Sequence, residues 1–171
     1  MTAIRTARPA DAEALARIYN EGVAERIATF ETQPRSAADF AERIALADRW
    51  PVVAAEHDGR VVGWAAVSEY NPRECYRGVG EATLYVERAA RGHGVGRQLV
   101  EELVAAAERA GYWKLIGRLF PENEPSRALL RNCGFSEVGV HRRHGRLDGQ
   151  WRDVLVVERL LGEAADTDRP A

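Results

Sequence analysis

Two cysteines in 171 residues, Cys75 and Cys133, are too few for a disulfide framework and lack a metal-ligand spacing. Both are expected to be packing thiols. A large net charge is absent as well: the formal net charge is −2 and the pI near 6.1, so no whole-protein field draws the chain to nucleic acid or anionic lipid. No apolar stretch, Val154–Val157 among them, approaches the length needed to cross a bilayer. The start, Met1-Thr2-Ala3-Ile4-Arg5, carries no apolar leader, so a cytoplasmic protein is expected. The four histidines show no metal spacing, and no metal is expected. No internal repeat or interdomain linker is visible. What is present, 46% hydrophobic and 29% charged residues, suits one globular domain. That domain is placed at residues 1–161, with a disordered tail over 162–171.

Ile4–Ala7 reads as a strand, and Pro9-Ala10-Asp11 opens a helical pattern carrying Ala12, Leu15, Ile18 and Tyr19. Ser36 and Asp39 have capping-box spacing ahead of Phe40, Ile44 and Leu46, which predicts a second helix. Asp58-Gly59 joins the strand-like runs Pro51–Glu56 and Arg60–Val67 as a tight hairpin. In the strand predicted over Val79–Glu87, Glu81, Thr83 and Tyr85 share one face, and Ala82, Leu84 and Val86 the other. After Gly96, Leu99, Leu103, Ala106 and Ala110 recur at helical spacing until Gly111. Trp113–Phe120 is predicted as a strand, Pro125–Asn132 as a helix closed by Gly134, and Val138–His144 and Val154–Leu160 as the last strands. Trp64 and Trp151 are expected in the core.

The segment Arg91-Gly92-His93-Gly94-Val95-Gly96 lies between a strand and an amphipathic helix. Backbone N–H groups of such a turn, with the positive end of the helix dipole, converge on a space an anion can occupy. Glycine there permits close approach and unusual backbone angles. A dinucleotide fingerprint is not met, because Arg97 stands three residues beyond Gly94, and no P-loop Gly-Lys-Ser/Thr occurs. A turn whose glycines only satisfy backbone geometry is the alternative.

With its flanking strand and helix, Arg91-x-x-Gly94-x-Gly96 resembles the acetyl-CoA pyrophosphate-binding motif of GNAT acetyltransferases. Asn123, Ser126, Ala128 and Leu129 followed by Gly134-Phe135 resemble that family's next motif. Within the superfamily the chain is similar to phosphinothricin and arsinothricin N-acetyltransferases. The similar segments are Ala28-Thr29-Phe30-Glu31-Thr32, Arg73-x-x-Tyr76-x-x-x-x-Glu81 and Gly145-Arg146-x-x-Gly149-x-Trp151-x-Asp153. The resemblance implies an α/β GNAT fold: a mixed, mostly antiparallel sheet of about seven strands, flanked by about four helices and splayed between the fourth and fifth strands. It also implies that acetyl-CoA is the co-substrate, its arm held by backbone groups near Tyr85 and Val86 and its phosphates by residues 91–97 (Arg91, Gly92, His93, Gly94, Val95, Gly96, Arg97), with Asn123 and Ser126 nearby. A homodimer is implied too.

Acetyl transfer to an amine needs a neutral nitrogen, yet an α-amine has a pKa of about 7.7 to 8.0. Something must take the proton, and Glu81 aligns with the family's base. An exposed strand-end glutamate is the plainer reading of that residue. Val86 N–H is the expected donor to the oxyanion. The family's tyrosine or histidine four residues before the Gly of Gly-Phe is Leu130 here, so a general acid at that position is missing, although a thiol of pKa about 8.5 leaves with modest help. An acceptor of phosphinothricin type carries a carboxylate and a distal anion, which call for a guanidinium. Arg73 is the first candidate and Arg77 the second, with Phe30, Thr32 and Tyr76 shaping the pocket.

The expected activity is therefore acetylation of the primary amine of a small amino-acid-like molecule, conferring resistance to a toxic glutamate analogue. Methionine sulfone or sulfoximine is the alternative acceptor class. Acetylation of a protein N-terminus or lysine, and a non-catalytic acyl-CoA-binding module, are the competing functions.

Overall fold

The computed structural model describes residues 1–166. Seven strands form one sheet in the order β1-β2-β3-β4-β5-β7-β6, and each neighbouring pair is antiparallel except β4–β5. The strands are β1 (Thr2–Thr6), β2 (Val52–His57), β3 (Arg60–Glu69), β4 (Val79–Val86), β5 (Lys114–Leu119), β6 (Ser136–Leu147) and β7 (Gln150–Leu160). Four helices pack on it: α1 (Ala12–Glu25), α2 (Ala37–Ala45), α3 (Val95–Arg109) and α4 (Glu124–Asn132). A parallel strand pair needs a crossover, and α3 supplies it between β4 and β5.

Side-chain alternation along the strands creates two cores. One face of the sheet presents Val52, Ala54, Trp64 and Ala66 to Leu15, Ile18 and Val23 of α1 and Phe40 and Ile44 of α2. The opposite face presents Val53, Ala55, Ala65, Val67 and Leu115 to Leu99, Leu103 and Ala107 of α3. Entry into α1 is fixed by Asp11, which accepts the Arg8 N–H at 2.7 Å and pairs with Arg5 at 2.7 Å. The Ser36–Asp39 box forms reciprocally and starts α2. Asp58 and Gly59 take φ of 48° and 77°, which is the mirror-image turn expected at that hairpin.

The β4–β5 ladder pairs Val79–Ala82 with Lys114–Gly117 and stops there. Beyond it Thr83–Val86 remain paired with β3 but have no partner on the β5 side. This is the expected splay.

Several expectations need correction. The last two strands are longer than the apolar pattern indicated and form a second hairpin through Asp148-Gly149, with φ of 49° and 78°. Almost all of β6 is exposed, so no apolar alternation marked its ends. Trp151 is 52% exposed, with the Arg146 guanidinium 4.2 Å from its ring centre, and is not core. Cys75 is exposed, whereas Cys133 is buried as a packing thiol. The tail expected to be disordered begins with a turn at Gly162–Ala165 in which the Gly162 N–H donates to Glu108 at 3.1 Å; residues 167–171 lie outside the described residues. Among the described residues no helix is long and apolar enough to cross a membrane.

Candidate active site

Between β4 and α3 the chain makes a short turn, Arg88–Ala90, and then the glycine loop. Gly92 and Gly94 have φ of 81° and 80°, and a Cβ at either would meet nothing within 4 Å. Backbone sign alone calls for glycine there. Gly96 differs, because a Cβ on it would lie 3.0 Å from Leu129 Cδ2; it lets α3 approach α4. No side chain caps α3, whose first internal bond runs from Gln98 N–H to Gly94 O at 3.2 Å. The N–H groups of Val95, Gly96 and Arg97 therefore have no partner within the helix, and the helix dipole adds to them.

The loop's side chains are mostly engaged elsewhere. Arg91 reaches both carboxylate oxygens of Glu25 at 3.0 Å and donates Nε to the Val86 carbonyl at 2.9 Å. Arg88 joins the same carboxylate at 2.9 Å. Burial alone would push the Glu25 carboxyl up, but the hydrogen bonds from Arg91 and Arg88 outweigh it and hold it below its ordinary range. Arg97 pairs with Glu101 at 2.7 Å, and His93 is exposed.

The Glu87 N–H donates to Val62 O at 2.9 Å, which sets the phase of the β3–β4 ladder. Odd-numbered residues of β4, Glu81, Thr83 and Tyr85, exchange hydrogen bonds with β3. Even-numbered residues turn their N–H and C=O groups toward β5. Ala82 meets Gly117 there, but Leu84 and Val86 face the gap. Tyr85 accordingly has no backbone group free, contrary to expectation, and contributes its ring instead. That ring stacks on Trp64 at 5.3 Å and fits only because position 22 is glycine, where a Cβ would come within 2.7 Å of it. Burial and the neighbouring Tyr19 push the Tyr85 phenol far up, so it stays protonated.

The gap opens into a cleft of about 900 Å³ lined by β4, β5, α2, α4 and the segment between α1 and α2. Glu81 lies in it, partly buried, its carboxylate 2.9 Å from Arg118 of β5. Phe30 packs edge-on against Phe120 at 5.0 Å and closely over Gly145, where a Cβ would meet it at 2.7 Å. Asn123 and Ser126 line the cleft as well, but the Asn123 side chain accepts the Ser126 N–H at 3.3 Å as the α4 cap. Leu130 lines the cleft without a proton to give.

Of the expected acceptor residues, only Phe30 and Glu81 line this cleft. Thr32 is exposed outside it. Arg73, Tyr76 and Arg77 sit at the turn before β4: Arg73 lies over the Tyr76 ring at 5.8 Å, and Arg77 pairs with Glu74 at 3.2 Å. Arg73 and Arg77 are exposed. The cleft contains three arginines that sequence reading missed, Arg35, Arg43 and Arg118. Arg118 meets Glu81 only through the parallel register, which no local pattern reveals. Arg43 had a signal: it falls between Phe40 and Ile44, on the helix face those two bury.

Residues 15–135 match the model of the acetyltransferase (GNAT) family. A phosphinothricin N-acetyltransferase of Alcaligenes faecalis is 34% identical, over 98% of this chain and 86% of its own length. An L-methionine sulfoximine/L-methionine sulfone acetyltransferase of Pseudomonas paraeruginosa is 31% identical, over 92% of this chain and 94% of its own. Among solved structures, a phosphinothricin acetyltransferase of Sinorhizobium meliloti in complex with AcCoA superposes with a TM-score of 0.90 at 32% identity, covering 99% of this chain and 93% of that one. With its motif loop, its interrupted β4–β5 ladder and its match over most of the sequence, this chain belongs to the acetyltransferase (GNAT) family.

Proposed function

We propose that this chain transfers the acetyl group of acetyl-CoA to the primary amine of a compact amino-acid-like acceptor, and that Glu81 takes the proton. The observation that carries the reading is the gap beside β4. It runs from the uncapped start of α3, past the free backbone groups of Val86 and Leu84, to the carboxylate of Glu81.

Acetyl-CoA fits these donors as an anion at one end and an extended amide-bearing arm along the other. It supplies the activated acyl group. Val95, Gly96 and Arg97 offer N–H groups to its pyrophosphate, and Glu25 keeps Arg91 and Arg88 folded beneath that loop. Val86 neighbours the loop, with its carbonyl held by Arg91, and suits the arm. Leu84 is two residues nearer Glu81 and suits the reacting carbonyl, so the oxyanion donor moves from the expected Val86 to Leu84. Glu81 accepts the amine's proton, directly or through water, while Arg118 fixes its carboxylate. The leaving thiol receives no proton from Leu130 and departs as thiolate.

Relatives acting on phosphinothricin and on methionine sulfoximine or sulfone support an acceptor that carries an α-amine and an α-carboxylate. Acetylation of such a glutamate analogue removes its ammonium charge and would confer resistance. The test is acetyl-CoA-dependent thiol release by the purified protein with phosphinothricin, arsinothricin, methionine sulfone, methionine sulfoximine, a polyamine and a peptide. Turnover confined to the amino-acid analogues is expected. Preference for the peptide, or acetyl-CoA binding with no turnover at all, would overturn the reading.

A further inference from the structure

Most carboxylates and guanidiniums around the cleft have partners: Glu81 with Arg118, Glu31 with Arg35, Glu69 with Arg49, and Asp39 with the Ser36 backbone and hydroxyl. Arg43 is different. It is half-buried on α2 and lies 5.6 Å from the centre of the Trp64 ring, with no ion pair and no side-chain hydrogen bond among the described residues. The Trp64 ring lies against it, and the phenols of Tyr85 from the sheet and Tyr19 from α1 are near enough to act on it electrostatically; the Tyr85 ring meets Tyr19 edge-on at 4.9 Å and stacks on Trp64 at 5.3 Å. The charged groups that influence it at longer range are Arg35 and Glu81, and Glu42, next to it on α2, is exposed.

A guanidinium taken out of water without a carboxylate is costly to the fold. Burial pushes its proton affinity down, and the two phenols oppose that only in part. Such a cation facing an open cleft is a binding element for an anion that arrives with the ligand, because the anion recovers the missing charge pair. Arg35 is not equivalent, since Glu31 already neutralises it. Neither is Arg73, which lies outside the cleft.

We infer that Arg43 binds the carboxylate of the acceptor and thereby restricts the enzyme to amines that carry one. This rests on the proposed acetyltransferase reading. With the carboxylate on α2 and the amine at Glu81, the acceptor spans the cleft between two helical-layer and sheet elements that come from distant parts of the sequence. Tyr19 and Tyr85 line the same cleft and limit the size of the group that can reach it.

The experiment compares wild type, Arg43→Gln, Arg43→Lys and Arg73→Gln with L-methionine sulfone and with the same amine lacking its carboxylate, 3-(methylsulfonyl)propylamine. In wild type, kcat/KM for the amino acid should exceed that for the carboxylate-free amine. Arg43→Gln should raise KM for methionine sulfone about tenfold or more with kcat less affected, and leave the carboxylate-free amine unchanged or improved. Arg43→Lys should retain part of the preference. Equal loss on both acceptors, or loss of the preference in Arg73→Gln with none in Arg43→Gln, would overturn the inference. A second readout does not depend on turnover: glutarate, which has no amine, should raise the melting temperature of wild type and not of Arg43→Gln. Equal stabilisation of the two overturns the carboxylate site even if none of the amines is acetylated, whereas inactivity with a glutarate effect confined to wild type would sink only the acetyltransfer reading.

Discussion

The two ends of the cleft are built differently. At the co-substrate end the available groups are almost all backbone: the N–H groups of Val95–Arg97 and those of Leu84 and Val86, contributed by one continuous stretch of β4, loop and α3. At the acceptor end they are side chains, Phe30, Arg43, Glu81, Arg118 and Phe120, drawn from separate elements. A backbone site is specified by strand phase and by glycine at two positive φ values, so its chemistry is written in a short motif. A side-chain site is specified by tertiary register and can be altered one residue at a time. The contrast offers a reason why relatives that are all acetyltransferases are named for different acceptors.

The sharpest way to break this division is Glu81→Gln, which removes the proposed proton acceptor and leaves the backbone donors intact. Turnover at neutral pH should fall roughly 10²- to 10⁴-fold, with acetyl-CoA KM little changed and partial recovery at high pH as the amine deprotonates itself. Steady-state kinetics across pH checks it, and unchanged turnover would remove Glu81 from the mechanism. The complementary change is Gly94→Val. A β-branched residue at φ near 80° is strained by roughly 1–2 kcal/mol and redirects the loop's donors. Acetyl-CoA affinity measured by calorimetry should drop about tenfold, with acceptor KM nearly constant.

A milder effect is expected from Glu25→Gln, which acts on the co-substrate end through a side chain. Losing the anchor of Arg88 and Arg91 should weaken acetyl-CoA binding a few-fold. Because the folded Glu25 carboxyl is held below its ordinary value, its contribution is fully present above the ordinary carboxylate pKa and is lost as pH falls through the lowered one. Wild-type affinity should therefore approach that of the variant only in acid. A variant that retained wild-type affinity at neutral pH would show that the loop holds its shape unaided.

Much of this was legible in the sequence for a physical reason. The glycine loop, the Ser36–Asp39 cap and the Asp58-Gly59 turn are local, and each is encoded within a few neighbouring residues. The face assignment along β4 was also correct, since alternation depends on no partner. Which backbone groups were free was not readable, because that depends on the phase of pairing with β3; hence Tyr85 and Val86 were expected where Leu84 and Val86 face the gap. The Glu81–Arg118 pair was hidden in the parallel register, and the packing of Phe30 depended on Gly145, far away in the chain. Exposed β6 hid its true length, although Asp148-Gly149 repeats the dipeptide that had identified the earlier hairpin.

Only four rungs join β4 to β5, so the sheet is two slabs meeting along a short seam: β1–β4 with α1 and α2 on one side, β5–β7 with α4 on the other. A linear molecule lying in the open part of the seam adds the rungs that β5 does not provide and ties the slabs together. In the proposed binding mode the co-substrate would also be a structural strut that stiffens the wall on which the acceptor must be aligned.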